Sequence, residues 1–270
     1  MKKIKHRISG FECITVICAA MVTLFVFTAL SFIVINGVPY LGEVVSSEEV
    51  QFAVGLSLKT SIISTLICAV IGIPAAYALT RTNMRLKRFC SVVIELPLSI
   101  PNIMLGLSLL LMFSSMLGKF LSENGIRFIF DVKGIIVAHI LINMPFLIRI
   151  VKTSFLEIDP KLETVAESLG AGRLKTFFLV TLPLAKNGVI GGLIVAWSRA
   201  LGEFGATLMF VGATRMKTET IPTSMYFNMA TGDTGAAMAC AMIILMISGI
   251  SLVLSSFLNK KSAVRGGNNK

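Results

Sequence analysis

The sequence predicts an all-α polytopic membrane protein with six transmembrane helices, built as a single domain over residues 1–270. Three observations predict it. Hydrophobic residues make up 55% of the chain and charged residues only 14%, where soluble domains carry about 25% charged residues. Mean hydropathy is +0.84. The apolar residues gather into six runs, each near the roughly 20 residues a helix needs to cross hydrocarbon.

The first run, Phe11–Ile35, follows the basic stretch MKKIKHR. It is too long for the apolar core of a cleavable signal and no small-residue cleavage site follows, so it reads as a retained span. Span two is Ser61–Leu79, span three Leu96–Met116, and span four, the shortest, Gly134–Ile150. Spans five and six are Gly188–Val211 and Ala236–Phe257. Pro97, Pro101 and Pro145 are expected to bend spans three and four, either as fixed kinks or by freeing carbonyls that a cavity can hydrate. Span five carries Gly188, Gly192, Ala196 and Ala200 at intervals of four. Small residues at that spacing let helices approach closely, within the chain or against a second copy.

Six spans put both termini on one side, and the basic residues say which. Of the 25 Lys and Arg, 18 fall in the two termini, the Arg81–Arg88 loop and the Arg149–Lys186 segment. The opposite loops hold five, Lys119, Arg127, Lys133, Arg215 and Lys217, while Lys59 and Arg199 lie within or beside spans. Cytoplasmic loops collect Lys and Arg, so both termini are expected in the cytoplasm. The net charge of +11 is then largely topological. Attraction to anionic lipid headgroups accounts for it, and no segment is large enough to form the basic folded face that a nucleic-acid partner requires.

Chemistry-bearing patterns are sparse. Cys13, Cys18, Cys68 and Cys240 lie within spans and Cys90 beside a basic loop, an odd set with neither a disulfide framework nor metal spacing. His6 is in the basic tail, and His139 is a lone polar residue in span four that reads as a packed helix contact. No G-x-x-x-x-G-K-[ST] or H-E-x-x-H occurs. No intramembrane carboxylates are paired for acid–base work; only Glu95, His139 and Glu203 approach membrane depth. The expectation is therefore a chain that catalyses nothing and holds no cofactor or metal. Uphill transport would need energy from another subunit.

The segment from Lys152 to Thr181 differs from the rest, mixing glycine, charge and phenylalanine. Asp159-Pro160 has the form of a helix start, the Asp capping free amides and the Pro occupying the first helical position. Leu162, Val165, Ala166 and Leu169 then fall on one face, and Gly170 is a natural stop. A helix of about ten residues is too short to cross. It either lies in the headgroups or fits a groove on a partner, and the Gly170-Ala171-Gly172 break favours the groove.

These residues resemble the cytoplasmic signature of prokaryotic ABC-importer permeases, in which E-A-A is followed by G and later by L-P. Thr164-Val165-Ala166 stands at the E-A-A position, with Glu163 and Glu167 flanking the missing acid; Gly170 takes the glycine and Val180-Thr181-Leu182-Pro183 the final block. ELPLSIPNIMLGLSLLL, NMPFLIRIV and SRALGEFGATLMFVGATRMKTETIPTSMY further resemble the molybdate/tungstate permeases. Sulfate/thiosulfate permeases, of the same oxyanion branch, are the nearer alternative; a carrier without an ATPase and a non-transporting scaffold are the more distant ones.

The resemblance implies a coupling helix that docks on an ATPase through Glu163, Thr164, Ala166, Gly170, Ala171, Leu182 and Pro183. It implies two copies of the chain, two ATP-binding-cassette subunits hydrolysing the ATP, an extracytoplasmic oxyanion-binding protein, and a prokaryotic inner-membrane location. Within span five, Arg199 and Glu203 are expected as an i, i+4 pair near mid-bilayer. There they either neutralise each other and pack, or, with Thr207, border the anion's route.

Overall fold

The computed structural model describes residues 10–267, and the side chains of all of these except Leu117 and residues 254–267. The basic tail with His6, and the side chains of Lys260, Lys261 and Arg265, lie outside that description. Every regular element among the described residues is helical. Five helices are long and apolar enough to cross a membrane, or six if one bent pair counts as a span.

Helix α1 (Gly10–Gly37) leads through a short turn into α2 (Leu41–Ser46). Its most apolar stretch is entirely uncovered by the rest of the chain, and its main neighbour is the last helix, α13 (Thr234–Gly267). Helix α3 (Glu48–Arg81) holds span two and extends beyond it at both ends. The interior is formed by α3, α7 (Val132–Leu156) and α10 (Leu182–Leu201) packing on one another. Cys68, Ala76, Leu147, Val151, Phe155 and Ala196 make its fully buried centre. Span four, the shortest run in the sequence, is the most enclosed of the crossing helices, and it is continuous through Pro145.

Small residues set how closely these helices meet. A Cβ on Gly192 would lie 3.2 Å from Ile150 Cγ2, and one on Gly188 would overlap the Ser154 hydroxyl. Ala196 and Ala200 are buried as well. The stripe on α10 is therefore packed within the chain, its two glycines against α7.

Two of the expected spans are broken. In span three, α4 (Lys87–Glu95) and the turn Leu96–Ser99 meet α5 (Asn102–Ser114) at 112°. The cause is Pro97 and Pro101: each lacks an N–H, and Pro101 also forces the residue before it out of the helical region. Ile100 is accordingly extended, at φ −104 and ψ 136. Span five ends at Leu201 and resumes as α11 (Gly205–Val211) after the non-helical link Gly202–Phe204. Connecting helices complete the chain: α6 (Met116–Glu123), α8 (Pro160–Ser168), α9 (Arg173–Thr176) and α12 (Ile221–Ala230). Helix α12 starts at a Thr220–Thr223 capping box with proline in its first turn, and it packs on α3 and α13. Thr218, just before it, is buried and accepts a hydrogen bond from Thr214 N at 3.0 Å, so it is not the open loop position its sequence context implies.

Candidate functional site

The expected coupling loop forms α8 as the sequence predicts. The Asp159 carboxylate accepts from Lys161 N at 2.9 Å, and Pro160 opens the helix. At the other end, Ala171 N donates to Ala166 O at 3.0 Å and Gly170 N to Glu167 O at 3.0 Å. This is a Schellman stop, which needs a left-handed residue; Gly170 supplies it at φ +87. Leu162, Val165 and Leu169 stand out from the chain, Leu169 with 84% of its surface free. A shallow groove bounded by Ala166, Leu169, Gly170, Ala171, Leu179 and Val180 runs beside them. Thr164 is exposed, its hydroxyl donating to Pro160 O at 3.3 Å. Leu182 and Pro183 begin α10, next to a π-helical turn at Phe177–Thr181.

Glu163 points the other way, into the protein. Its Oε1 accepts from Arg81 Nε at 3.0 Å and from Thr181 Oγ1 at 2.7 Å. Arg81 Nη2 donates to Phe155 O at 2.7 Å and Ile158 O at 2.8 Å, which are carbonyls at the end of α7. The side chains are only 9% and 11% exposed, so this is a buried ion pair with further hydrogen bonds on both partners. It ties α8 to the ends of α3 and α7 and to the π turn. Sequence reasoning saw Arg81 only as one cation in a basic loop; nothing local in the sequence pairs it with a residue 82 positions away.

The three residues expected along the translocation path part company. Arg199 is exposed on the surface of the single chain, its guanidinium carbon 3.7 Å from the centre of the Phe146 ring on α7. Glu203 is buried and makes no ion pair with it. Because α10 stops at Leu201, the two are not i, i+4 on one helix, and the expected neutralised pair does not form. Instead Glu203 Oε1 accepts from Ala206 N at 2.9 Å and Oε2 from Asn102 Nδ2 at 2.7 Å. Thr207 is fully buried, its hydroxyl without a hydrogen-bond partner among the described residues. His139 is a buried helix contact, as its lone position implied. Cys68 and Cys240 are buried too. Among the described residues no cluster of His, Cys, Asp or Glu could hold a metal ion.

Helices long and apolar enough to cross a membrane, together with a short helix that holds an apolar face clear of the chain, define a polytopic membrane protein. Residues 68–262 match the family described as the binding-protein-dependent transport system inner membrane component, and the chain belongs to that family. It is 38% identical over 222 residues to the molybdenum transport system permease protein ModB of Escherichia coli K12, covering 80% of this chain and 96% of that relative. It is 37% identical over 172 residues to the molybdate/tungstate transport system permease protein WtpB of Pyrococcus furiosus, covering 64% of each. Among solved structures, a bacterial ABC transporter that imports alginate superposes with a TM-score of 0.75 at 16% identity, covering 93% of this chain and 96% of that one. The methionine ABC transporter MetNI superposes with a TM-score of 0.64 at 19% identity, covering 80% and 98%. These likenesses establish the fold.

Proposed function

We propose that this chain is the permease subunit of an ATP-driven importer of molybdate or tungstate, a single domain that gives the oxyanion alternating access across the membrane. One observation carries the reading. Helix α8 holds Leu162, Val165 and Leu169 clear of the chain on a mount fixed by the Glu163–Arg81 pair and stopped by Gly170. An apolar face so placed fits a groove on a partner. A partner that binds and hydrolyses ATP answers the absence of any nucleotide-cradling motif in the sequence. The relatives named for molybdenum and for molybdate/tungstate transport support the substrate.

Arg199 supports a second copy. A cation at membrane depth is costly against lipid and ordinarily faces a bundle interior or an aqueous path. Arg199 is exposed in the single chain, so the surface that carries it belongs at a subunit seam or along the ion's route. Two copies of this chain, two ATPase subunits and an extracytoplasmic binding protein make the working assembly, with both termini of each copy in the cytoplasm. The test is uptake of labelled molybdate, tungstate and sulfate by vesicles containing the reconstituted complex. ATP-dependent accumulation of the first two is expected. Preference for sulfate would reassign the substrate, and accumulation by this chain without its ATPase would replace the importer reading with that of a secondary carrier.

A further inference from the structure

The two broken spans break beside each other. Helix α5 begins at Asn102 and α11 at Gly205, and a helix start leaves amides that must find partners inside a membrane. Glu203 meets that need for α11 from the middle of the second break, while Pro101 O takes the Met104 and Leu105 amides of α5. One carboxylate oxygen takes the Ala206 amide and the other takes the Asn102 side-chain NH2, joining residues 101 positions apart. Both partners are donors, so the bridging group must offer two acceptors. A carboxylate does so with one oxygen for each donor.

Contact between the half-helices continues along their length. A Cβ on Gly106 would lie 2.6 Å from Ala206 O, so the backbones nearly touch. At the far end Phe113 stacks on Phe210 with ring centres 5.4 Å apart. By contrast, the links back to the bundle, Ile100–Pro101 and Gly202–Phe204, are non-helical and lie side by side at the level of the Asn102–Glu203 bond. On their inner side both halves pack on α7: Leu105, Leu109, Ala206 and Phe210 share a buried cluster with Ile135, Ala138 and Ile142, and Val211 meets the start of α7 at Gly134.

We infer that α5 and α11 form one rigid body hung on two adjacent hinges, and that Asn102 is the positioning residue that clasps it through Glu203. In the importer reading, on which this rests, the body moves as a unit each time the path beyond Arg199 opens. Neither Asn102 nor Glu203 need touch the ion. Each break alone would leave a half-helix packed separately on α7, whereas the clasp joins the two into a single flap that bears on α7 as one.

The test uses the full complex with its ATPase and binding protein. Asn102→Leu and Glu203→Met each remove the bridge. The exchange Asn102→Asp with Glu203→Gln rebuilds it, the glutamine oxygen accepting from Ala206 and its NH2 donating to the new aspartate. Each single variant is expected to lose at least about tenfold in oxyanion taken up per ATP hydrolysed, and the exchange to return within about threefold of wild type. Exchange no better than the singles in an assembled complex, or wild-type coupling in Asn102→Leu, would overturn the clasp. Should the single variants fail to assemble, a disulfide decides. Cysteines at Ile103 and Gly205, where a Cβ on the glycine comes 3.7 Å from Ile103 Cα, lock α5 to α11 when oxidised. A rigid body transports equally well locked and reduced; loss on oxidation that a reductant restores would show that the halves move against each other. Absence of uptake by the wild-type complex would instead count against the importer reading itself.

Discussion

Phe146 and Arg199 make a pair whose energy depends on how much water surrounds it. A guanidinium over an aromatic face gains about 0.5–1 kcal/mol when exposed and about 2 kcal/mol or more when dry. The ring holds the cation in one place without neutralising it, which a carboxylate would do. In the proposed importer, an anion arriving from water would meet a positive charge that is already oriented. Replacing Arg199 by Met should leave insertion and ATPase stimulation intact while lowering oxyanion uptake at least about tenfold; unaltered uptake would reduce Arg199 to a residue that merely packs on Phe146. Phe146→Leu should have a smaller effect, about two- to fivefold in the KM for uptake, matching the loss of about 0.5–1 kcal/mol of orientation. The charge of Arg199 and its place on a long apolar helix were legible in the sequence. Its partner was not, because pairing it with Glu203 assumed that the helix runs on past Gly202, and a four-residue spacing carries no information about where a helix stops.

Helix α8 shows what local sequence can specify. Its cap at Asp159, its proline, its apolar face and its stop at Gly170 all act within a few residues of one another, and all of them formed as expected. Gly170→Val would force a β-branched residue to φ +87, where an L-residue costs about 1–2 kcal/mol. The chain should still insert, but ATPase association should weaken and stimulated hydrolysis fall; full transport by this variant would remove the stop from the coupling machinery. The mount of the helix was illegible, since it depends on Arg81 arriving from the far end of another helix. Breaking such a buried pair by removing one partner costs about 3–5 kcal/mol. Arg81→Met should thus lower the melting temperature of the purified complex markedly, and Arg81→Met with Glu163→Gln should recover part of the loss. A loss in the double variant equal to the sum of the losses in Arg81→Met and Glu163→Gln alone would show that the pair contributes no coupling energy.

At the scale of the whole molecule, counting apolar runs found the crossing segments but not their shape. A hydropathy run records composition averaged over about 20 residues and passes over a link as short as Gly202–Phe204. The prolines of span three did announce a bend, and the 112° turn there is the result. Orientation can be tested with single cysteines at Ser122 and Met216, both in loops expected outside. Each should react with an impermeant reagent added to intact cells, while tags on the two termini stay protected. Labelling of either tag from outside would invert the topology. Met216 serves better than its neighbour Thr218, which is buried.

The π turn at the start of α10 has a bearing on all of this. Leu182 N reaches back five residues to Phe177 O, so the turn holds one residue more than an α-helical path would. Each residue of an α-helix advances the azimuth by about 100°, and so everything after Thr181 carries a phase offset of that size. Remove one residue from Phe177–Thr181, and the surplus vanishes while the whole of α10 turns by the same angle. Gly188 and Gly192 would rotate off α7, and Arg199 would leave Phe146. A single-residue deletion in this turn is thus a change of aim for a side chain about 30 Å away. Insertions and deletions here should be far less tolerated than substitutions at the same positions.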